Sequence, residues 1–405
     1  MLASHLLLRD LNPAAEICAR RAVELAPDVC ETWSTLGAVL HREQQYTLAL
    51  EAHDRALLLD PHFAAALRNR GTTKYEMGDI DGGIVDFDHA MRSSLLDRET
   101  MANMAPLVLA SGDFKRGFEL AECRDISGAL VERLKIPRWM GGDLSSRTIL
   151  VYQDQGFGDT IQWARYLPQL EALAKRMVLC VDLGLFRLFR KRFETVVQPG
   201  EIPAVDCQVP ICSLPWHFGV SEALAQPYVA SDERALLPVN HGTKLKIGIS
   251  WRGNERQHYG RLKSIPLEAL FPLALIPGVQ LYSLQPEGEL LAVEGANAFI
   301  TDLSWMIRDW ADTAAILGKL DLVVTLDSAL LHLAGAMGKP TFALLPYAAE
   351  WRWHPRGEDH HSRWYPSVSL LFQDRPGNWA PQVERASRAI QSIMAENPPT
   401  LINGG

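Results

Sequence analysis

The chain of 405 residues has no Cys-x-x-Cys pair. Its six cysteines (Cys18, Cys30, Cys123, Cys180, Cys207 and Cys212) are scattered, which excludes the usual zinc ribbons and a dense disulfide framework and fits a reducing compartment. No run of about 18 apolar residues exists, so no transmembrane segment is expected. The run Leu6–Leu8 is cut by Arg9 and Asp10 and is too short for a signal-peptide core. A cytoplasmic location is therefore expected. Positive charge is also lacking. With 40 basic and 48 acidic residues the net charge is −8, which gives no electrostatic reason to expect nucleic acid as a partner. There is no P-loop, no Gly-x-Ser-x-Gly elbow and no His-Glu-x-x-His. The Gly156-x-Gly158 cue lacks the third glycine of a dinucleotide fingerprint.

What is present begins with a repeat. Gly37, Gly71 and Ala105 stand 34 residues apart, and so do Ala15, Ala49, Gly83 and Gly117. Ala22, Ala56 and Ala90 form a third ladder, and Pro27 and Pro61 end successive units. Small residues at a fixed step let pairs of helices cross closely while large ones fill the grooves beside them. Trp33, Leu36, Gly37, Leu40, Ala49, Ala56 and Pro61 resemble the tetratricopeptide pattern. The units run roughly over 30–63, 64–97 and 98–130, after a partial unit whose first helix would begin upstream of Met1. Arg124 breaks the alanine ladder in the last unit. An array of this kind offers a surface for a peptide or protein, and equally serves as a scaffold that packs on its neighbour.

Residues 131–147 read as a linker by their Pro, Gly and Ser content. Beyond them strand and helix patterns alternate, which means βαβ units and parallel sheets. A first half spans 148–238, with strands at 149–152, 177–181 and 207–211. After a polar break a second half spans 244–396, with strands at 245–251, 279–284, 321–326 and 341–345. Residues 397–405 read as a loose tail.

Two strand-to-helix junctions carry candidate chemistry. In TILVYQDQGFGDTIQWARYLP (148–168), Gly156 and Gly158 precede Asp159. Such glycines allow φ > 0 or close approach to a ligand. Asp159 is either a general base or an N-cap. In VVTLDSALLHLAGAMGKP (323–340), Asp327 and Ser328 open a helix and His332 follows one turn later. That junction is either an anion site suited to a diphosphate or a capped helix with an interior histidine. The loop 251–266 carries Arg252, Arg256, Arg261 and Lys263, and 350–366 is dense in Trp, Arg and His. Those rings can stack on a base or sugar, or fill a core. His354, Glu358, Asp359, His360 and His361 match no standard metal spacing. Arg187 and Arg190–Arg192 read as a solvated helix face or a contact for an acidic partner.

The phrases PRWMGGDL, QGFGDTIQWARYLP, WRGNERQHYGRLKSIPL, RDWADTAAILGKLDLVVTLDSALLHLAGAMGKP and LLPYAAEWRWH occur in order between Pro137 and Asn378. This region resembles the heptosyltransferase-like glycosyltransferases fused behind tetratricopeptide repeats in bacteria. The resemblance implies a tetratricopeptide solenoid followed by a GT-B fold of two Rossmann-like halves, which is α plus α/β. It implies a nucleotide-sugar donor, a hydroxyl acceptor on a protein or glycan, a peptide or protein on the repeats, and no metal or other cofactor. Gly158-Asp159 matches the glycine-aspartate of the amino-terminal loop, with the aspartate as base. Lys263 falls on a lysine at the donor phosphates. Asp327, Ser328 and His332 match the Asp-Thr-Gly-x-x-His signature of the donor site, with Ser328 in place of threonine and Ala329 in place of glycine. Fusion of repeats to a GT-B module is similar to the O-linked N-acetylglucosamine transferases, so a protein hydroxyl is the expected acceptor. The alternatives are a lipid-linked or polysaccharide acceptor and a non-catalytic scaffold with a degenerate transferase domain.

Overall fold

The computed structural model describes residues 3, 12–93, 97–126, 135–220, 226–230, 235–253, 258–285, 290, 295–354 and 360–396. They divide into two compact units. One is Met1–Asp125 with Tyr347–Gly357, and the other is Ile126–Pro346 with Glu358–Gly405.

The first unit contains seven helices among the described residues: α1 Asn12–Leu25, α2 Cys30–Arg42, α3 Tyr46–Leu59, α4 Ala64–Glu76, α5 Ile80–Ser93, α6 Arg98–Ala110 and α7 Phe114–Ala121. The first helices of successive pairs, α2, α4 and α6, begin 34 residues apart, as the small-residue ladder requires. A Cβ on Gly71 would lie 2.8 Å from the Phe87 ring, and one on Gly37 2.4 Å from the His53 ring. These glycines are where an α4–α5 or α2–α3 pair closes against a ring. The segment Tyr347–His354 packs on this array. Tyr347 stacks on Tyr46 with centroids 6.4 Å apart, His354 lies 5.8 Å from Tyr75, and Trp351 meets Phe118 edge-on at 5.9 Å.

The second unit holds two parallel sheets. In the amino-terminal half, β1 Thr148–Tyr152, β2 Arg176–Cys180, β3 Val196–Val197 and β4 Cys207–Pro210 are ordered β3-β2-β1-β4. Helices α8 Phe157–Trp163, α9 Leu167–Leu173, α10 Leu183–Arg190 and α11 Leu214–Phe218 connect or follow them. The expected helix over 159–175 is broken into α8, a 3-10 turn at Ala164–Tyr166 and α9, which has proline in its first turn. The described part of the stretch that composition marks as a linker, 135–147, packs on this half: Arg138 bridges Gln208 beside β4, and Trp139 stacks on His217 at 4.3 Å.

In the carboxyl-terminal half, β5 Leu245–Ile249, β6 Val279–Ser283, β7 Ile300–Asp302, β8 Leu322–Leu326, β9 Thr341–Leu345 and β10 Val368–Phe372 are ordered β10-β9-β8-β5-β6-β7. The helices are α12 His258–Lys263, α13 Phe271–Ala274, α14 Trp310–Lys319, α15 Ala329–Ala336 and α16 Ala380–Glu396. Expected strand residues such as Ile247, Leu281, Val324 and Leu344 are buried in the core of this half, joined by Trp379, Val383 and Ile390 flanking or within α16. Strand β10 and the short β3 and β7 were not apparent from the sequence.

Both strand orders contain a reversal. From β1 the chain moves outward to β2 and β3, then returns to the other side of β1 with β4. From β5 it moves to β6 and β7, then returns beside β5 with β8. At such a switch point adjacent connections leave to opposite sides and open a crevice at the strands' carboxyl ends, where α/β folds bind ligands. The loop before Asp159 follows β1. The loop carrying Lys263 follows β5, and Asp327-Ser328 follows β8. All the candidate junctions therefore sit at switch points.

Candidate functional site

The β8 junction is built from a strand buried along its whole length and a helix of small and apolar residues. Ser328 is the N-cap residue of α15, extended at φ −152° and ψ 173°, yet its side chain makes no capping hydrogen bond. Its Oγ is buried and has no hydrogen-bond partner among the described residues. A buried hydroxyl without a partner costs about 1–3 kcal/mol, and here it lies at the positive end of a helix. The cap half of the alternative for Ser328 is thus not realised.

Beside it, Lys263 Nζ lies 2.7 Å from Asp327 Oδ2, with side chains 13% and 4% exposed. Lys263 ends α12, so part of the expected polar loop is helical. The loop is closed at both ends. Ile265 N–H donates to Trp251 C=O at 2.7 Å, and Gly253 N–H donates to Ser264 Oγ at 3.0 Å. Gln285, which sequence reasoning missed, fixes where this loop leaves the sheet. Its Oε1 accepts from Ser250 Oγ at 2.9 Å and from the Trp251 and Arg252 N–H groups at 3.1 Å. Arg256 lies outside the described residues.

The amino-terminal junction differs from expectation in its caps and glycines. The N-cap of α8 is Gly156, and Asp159 stands in the first helical turn, so Asp159 is not the cap. A carboxylate there still favours the helix dipole. Neither glycine has positive φ. A Cβ on Gly156 would lie 3.4 Å from Asp159 Oδ2, whereas one on Gly158 would lie 2.8 Å from His332 Cδ2 and 3.4 Å from the Ala329 Cα. Gly158 is therefore where α8 of one half closes on the first turns of α15 of the other. That contact brings Gly158 and His332 together, and Asp159 is the next residue of α8. The loop before α8 is held by Asp154 Oδ1, which accepts from Cys212 N–H at 3.1 Å after β4, and by Gln153, paired with Asp182 after β2.

His332 is buried, and its Nδ1 lies 2.9 Å from the Tyr365 hydroxyl. The Tyr365 ring covers Gly335, where a Cβ would come within 2.3 Å of it. Burial pushes the Tyr365 phenol well above its usual range. Arg165 is buried among three rings, its guanidinium 4.9 Å from the Tyr365 centroid, 5.2 Å from Tyr228 and 5.4 Å from Trp364. It donates to the Gln162 and Trp364 carbonyls at 2.8 and 3.2 Å. No short motif signals this cluster, because its members come from four distant stretches, around Arg165, Tyr228, His332 and Tyr365.

The remaining candidates lie elsewhere. Arg187 does not form a merely solvated face: it bonds Asp309 at 3.0 Å and Asp312 at 3.1 Å, joining α10 to α14 across the two halves. Arg190 lies over Phe186, and Arg192 reaches Glu171 at 3.5 Å. Trp351, Trp353 and Trp364 are buried, so these rings serve as core. His354 belongs to the repeat unit, Glu358 and Asp359 lie outside the described residues, and the described residues contain no group of three or more His, Cys, Asp or Glu spaced to hold a metal. No helix among them is long and apolar enough to cross a membrane.

Residues 309–367, which carry Asp327, Ser328, His332 and Tyr365, match glycosyltransferase family 9 (heptosyltransferase). Protein FlbA of Caulobacter vibrioides is 28% identical over 435 residues, covering 96% of this chain and 72% of that protein. Among solved structures, a mutant O-GlcNAc transferase of Thermobaculum terrenum is similar at 17% identity and a TM-score of 0.36, over 97% of this chain and 89% of that one. TTC0263, a thermophilic TPR protein of Thermus thermophilus, is similar at 19% identity and a TM-score of 0.29, over 33% of this chain and 75% of that one. The chain joins tetratricopeptide-type helical repeats to a glycosyltransferase-like α/β unit.

Proposed function

We propose that the chain is an inverting, metal-independent glycosyltransferase that moves a sugar from a nucleotide-sugar donor to a hydroxyl, with a protein as acceptor. The observation that carries this reading is the unpartnered Ser328 hydroxyl at the N-terminus of α15, set beside the Lys263–Asp327 pair at the switch point of the carboxyl-terminal sheet. A diphosphate fits that combination. The hydroxyl and the first N–H groups of the helix donate to it. Lys263 offsets the Asp327 charge that would otherwise repel it.

In this reaction Asp159 takes the proton of the acceptor hydroxyl as its oxygen bonds to the anomeric carbon. The bond from that carbon to the diphosphate oxygen breaks on the opposite face. The charge left on the diphosphate is held by Lys263, Ser328 and the helix N-terminus. The close approach of α8 to α15 at Gly158 supports this reading, because it holds the helix that carries Asp159 against the helix that Ser328 opens.

A second reading, a transferase fold that binds without transferring, is favoured by Ala329. It stands where the resemblance implies glycine, at the tight contact with Gly158. Thermal-shift titration with nucleoside diphosphates and their sugars, followed by mass spectrometry of co-purified proteins for added hexose or heptose, separates the two. Asp159→Asn is expected to abolish transfer and keep nucleotide binding within about threefold. Undiminished turnover in that variant removes Asp159 as base.

A further inference from the structure

Helix α3 carries a surface pattern that the repeat does not require. Its outward face bears Leu48, Glu51, Arg55 and Leu58, all exposed. At 3.6 residues per turn these four fall within about 80° of the helix circumference, so they form one stripe. One repeat on, the same positions of α5 hold Gly82, Val85, His89 and Arg92. The stripe therefore does not come from helix crossing within the array, which uses the buried Ala49, Ala52 and Ala56 instead. Leu48 is 43% exposed and Leu58 76%, and exposed leucines at both ends of one stripe mark an association surface. The four residues also line a groove of about 610 Å³, together with Trp33, Leu36 and Leu40 of α2.

The stripe complements itself. Its steps are three, four and three residues, in the order Leu, Glu, Arg, Leu. Laid antiparallel on a second α3, Leu48 faces Leu58 of the second copy and Glu51 faces its Arg55, and both contacts recur beyond the twofold axis. The lateral offsets agree as well. The two members of each facing pair lie at equal angles on opposite sides of the stripe's centre line, so antiparallel helices bring all four contacts together. A parallel arrangement sets Glu51 on Glu51 and Arg55 on Arg55. Glu51 and Arg55 have no ion-pair partner among the described residues, although their four-residue spacing would let them pair within α3. Self-complementarity is what a twofold interface requires. A peptide ligand has no need of it, which singles out a second copy as the occupant.

We propose that the chain forms a twofold-symmetric homodimer through its repeat array, with α3 packed antiparallel on α3 of a second copy. The leucines at the ends of the stripe drive association by apolar burial. The two Glu51–Arg55 pairs at its centre set register and orientation rather than strength. The proposal is independent of the glycosyltransferase reading, because it concerns only the repeat unit.

Sedimentation velocity of the full chain over a concentration series is expected to show a species of about 90 kDa, twice 45.1 kDa, that dissociates on dilution. A mass of 45.1 kDa at every concentration overturns the proposal and leaves the groove to a peptide. Glu51→Arg and Arg55→Glu each turn both ion pairs into like-charge contacts, and each is expected to weaken dimerisation roughly tenfold or more. An equimolar mixture of the two variants sets opposite charges against each other at both crossings. It is expected to recover wild-type association in the mixed dimer, which also shows that both variants are folded. A dimer indifferent to either substitution, or a mixture that stays monomeric, refutes the antiparallel α3 contact.

Discussion

Replacing His53 by phenylalanine is expected to stabilise the repeat array, and more so in acid. His53 is fully buried in α3, and neither ring nitrogen has a hydrogen-bond partner among the described residues. Burial, reinforced by the charges of His41 and Arg70, pushes its pKa down from 6.5 to about 3. The imidazole is therefore neutral in the folded array and protonated below about pH 6.5 in the unfolded chain. A depressed histidine pKa gives stability that is complete above the unfolded value and is lost as pH falls toward the folded one. From those two values the loss at pH 5 is about 2 kcal/mol relative to pH 8. In addition, one ring N–H goes unbonded at any pH, at a cost of about 1–3 kcal/mol. The next repeat supplies the control, because Phe87 occupies the equivalent position over Gly71 as His53 does over Gly37. His53→Phe is thus expected to gain about 1–3 kcal/mol at pH 8 and roughly 2 more at pH 5. Hydrogen exchange of amides in Cys30–Leu59 reads local opening of the repeats in the full chain. The difference between the proteins isolates residue 53, since His41, Glu76, Arg70 and Asp86 are common to both. A difference that does not grow between pH 8 and pH 5 refutes the reasoning.

Lys263→Met leaves the buried Asp327 carboxylate without its cation and is expected to cost about 3–5 kcal/mol, read as a lowered melting temperature. Adding Asp327→Asn is expected to recover much of that stability but not nucleoside-diphosphate binding; a double variant that binds like the wild type removes Lys263 from the site. Gly158→Ala places a methyl 2.8 Å from His332 Cδ2 and is expected to cost about 1–3 kcal/mol by overpacking. Calorimetry that finds no destabilisation would show that α8 and α15 are free to separate. Arg187→Ala is expected to cost less than about 1 kcal/mol because the arginine side chain is 46% exposed. Burial alone would raise the Asp312 pKa, but hydrogen bonds from Arg308 and Arg187 overcome it and hold it at about 2. That contribution is complete above the ordinary carboxylate value and lost as pH falls toward 2. Arg187→Ala should therefore show less loss of stability between about pH 4 and pH 2 than the wild type, and identical acid titrations would show that Arg308 suffices.

The repeats were legible because helix crossing dictates composition directly: Gly37, Gly71 and Gly83 sit where a Cβ would strike a ring or a backbone carbonyl. Strands buried on both faces, such as β8, announce themselves as apolar runs. Val196–Val197 is too short to register, and β10 carries Ser369 within its apolar run at the sheet edge. At the site, the residue types at each strand-to-helix junction could be read locally, and so could the helix N-termini. The strand order that brings the junctions to switch points could not, because it is set by pairings such as Ile249 with Val324. Arg165 was invisible for the same reason: the carbonyl it bonds, that of Trp364, is 199 residues away. Arg187 looked like surface because its acidic partners belong to the other half of the unit.

The packing of Tyr347–His354 changes what the repeats can be asked to reveal. This stretch leaves β9, yet it forms part of the repeat unit. Tyr46, Tyr75 and Phe118, from three successive repeats, each meet a different residue of it. Part of the array's aromatic surface is therefore committed to the chain itself, and Trp351 and Trp353 owe their burial at least partly to that packing. Deleting the repeats would strip cover from these rings and perturb a loop that follows a strand neighbouring β8. Lost transfer in such a truncation would say nothing about acceptor recruitment. A groove of about 610 Å³ between α1, α2 and α3, lined by Trp33, Leu36, Leu40, Leu48 and Leu58, is free of that segment. Leu58 is 76% exposed there, so a polar substitution at Leu58 costs the fold little and alters only what an incoming peptide or second copy would touch. Loss of acceptor modification with unchanged nucleotide binding and unchanged mass in solution in that variant would assign recruitment to the groove, whereas the truncation cannot separate recruitment from loop support.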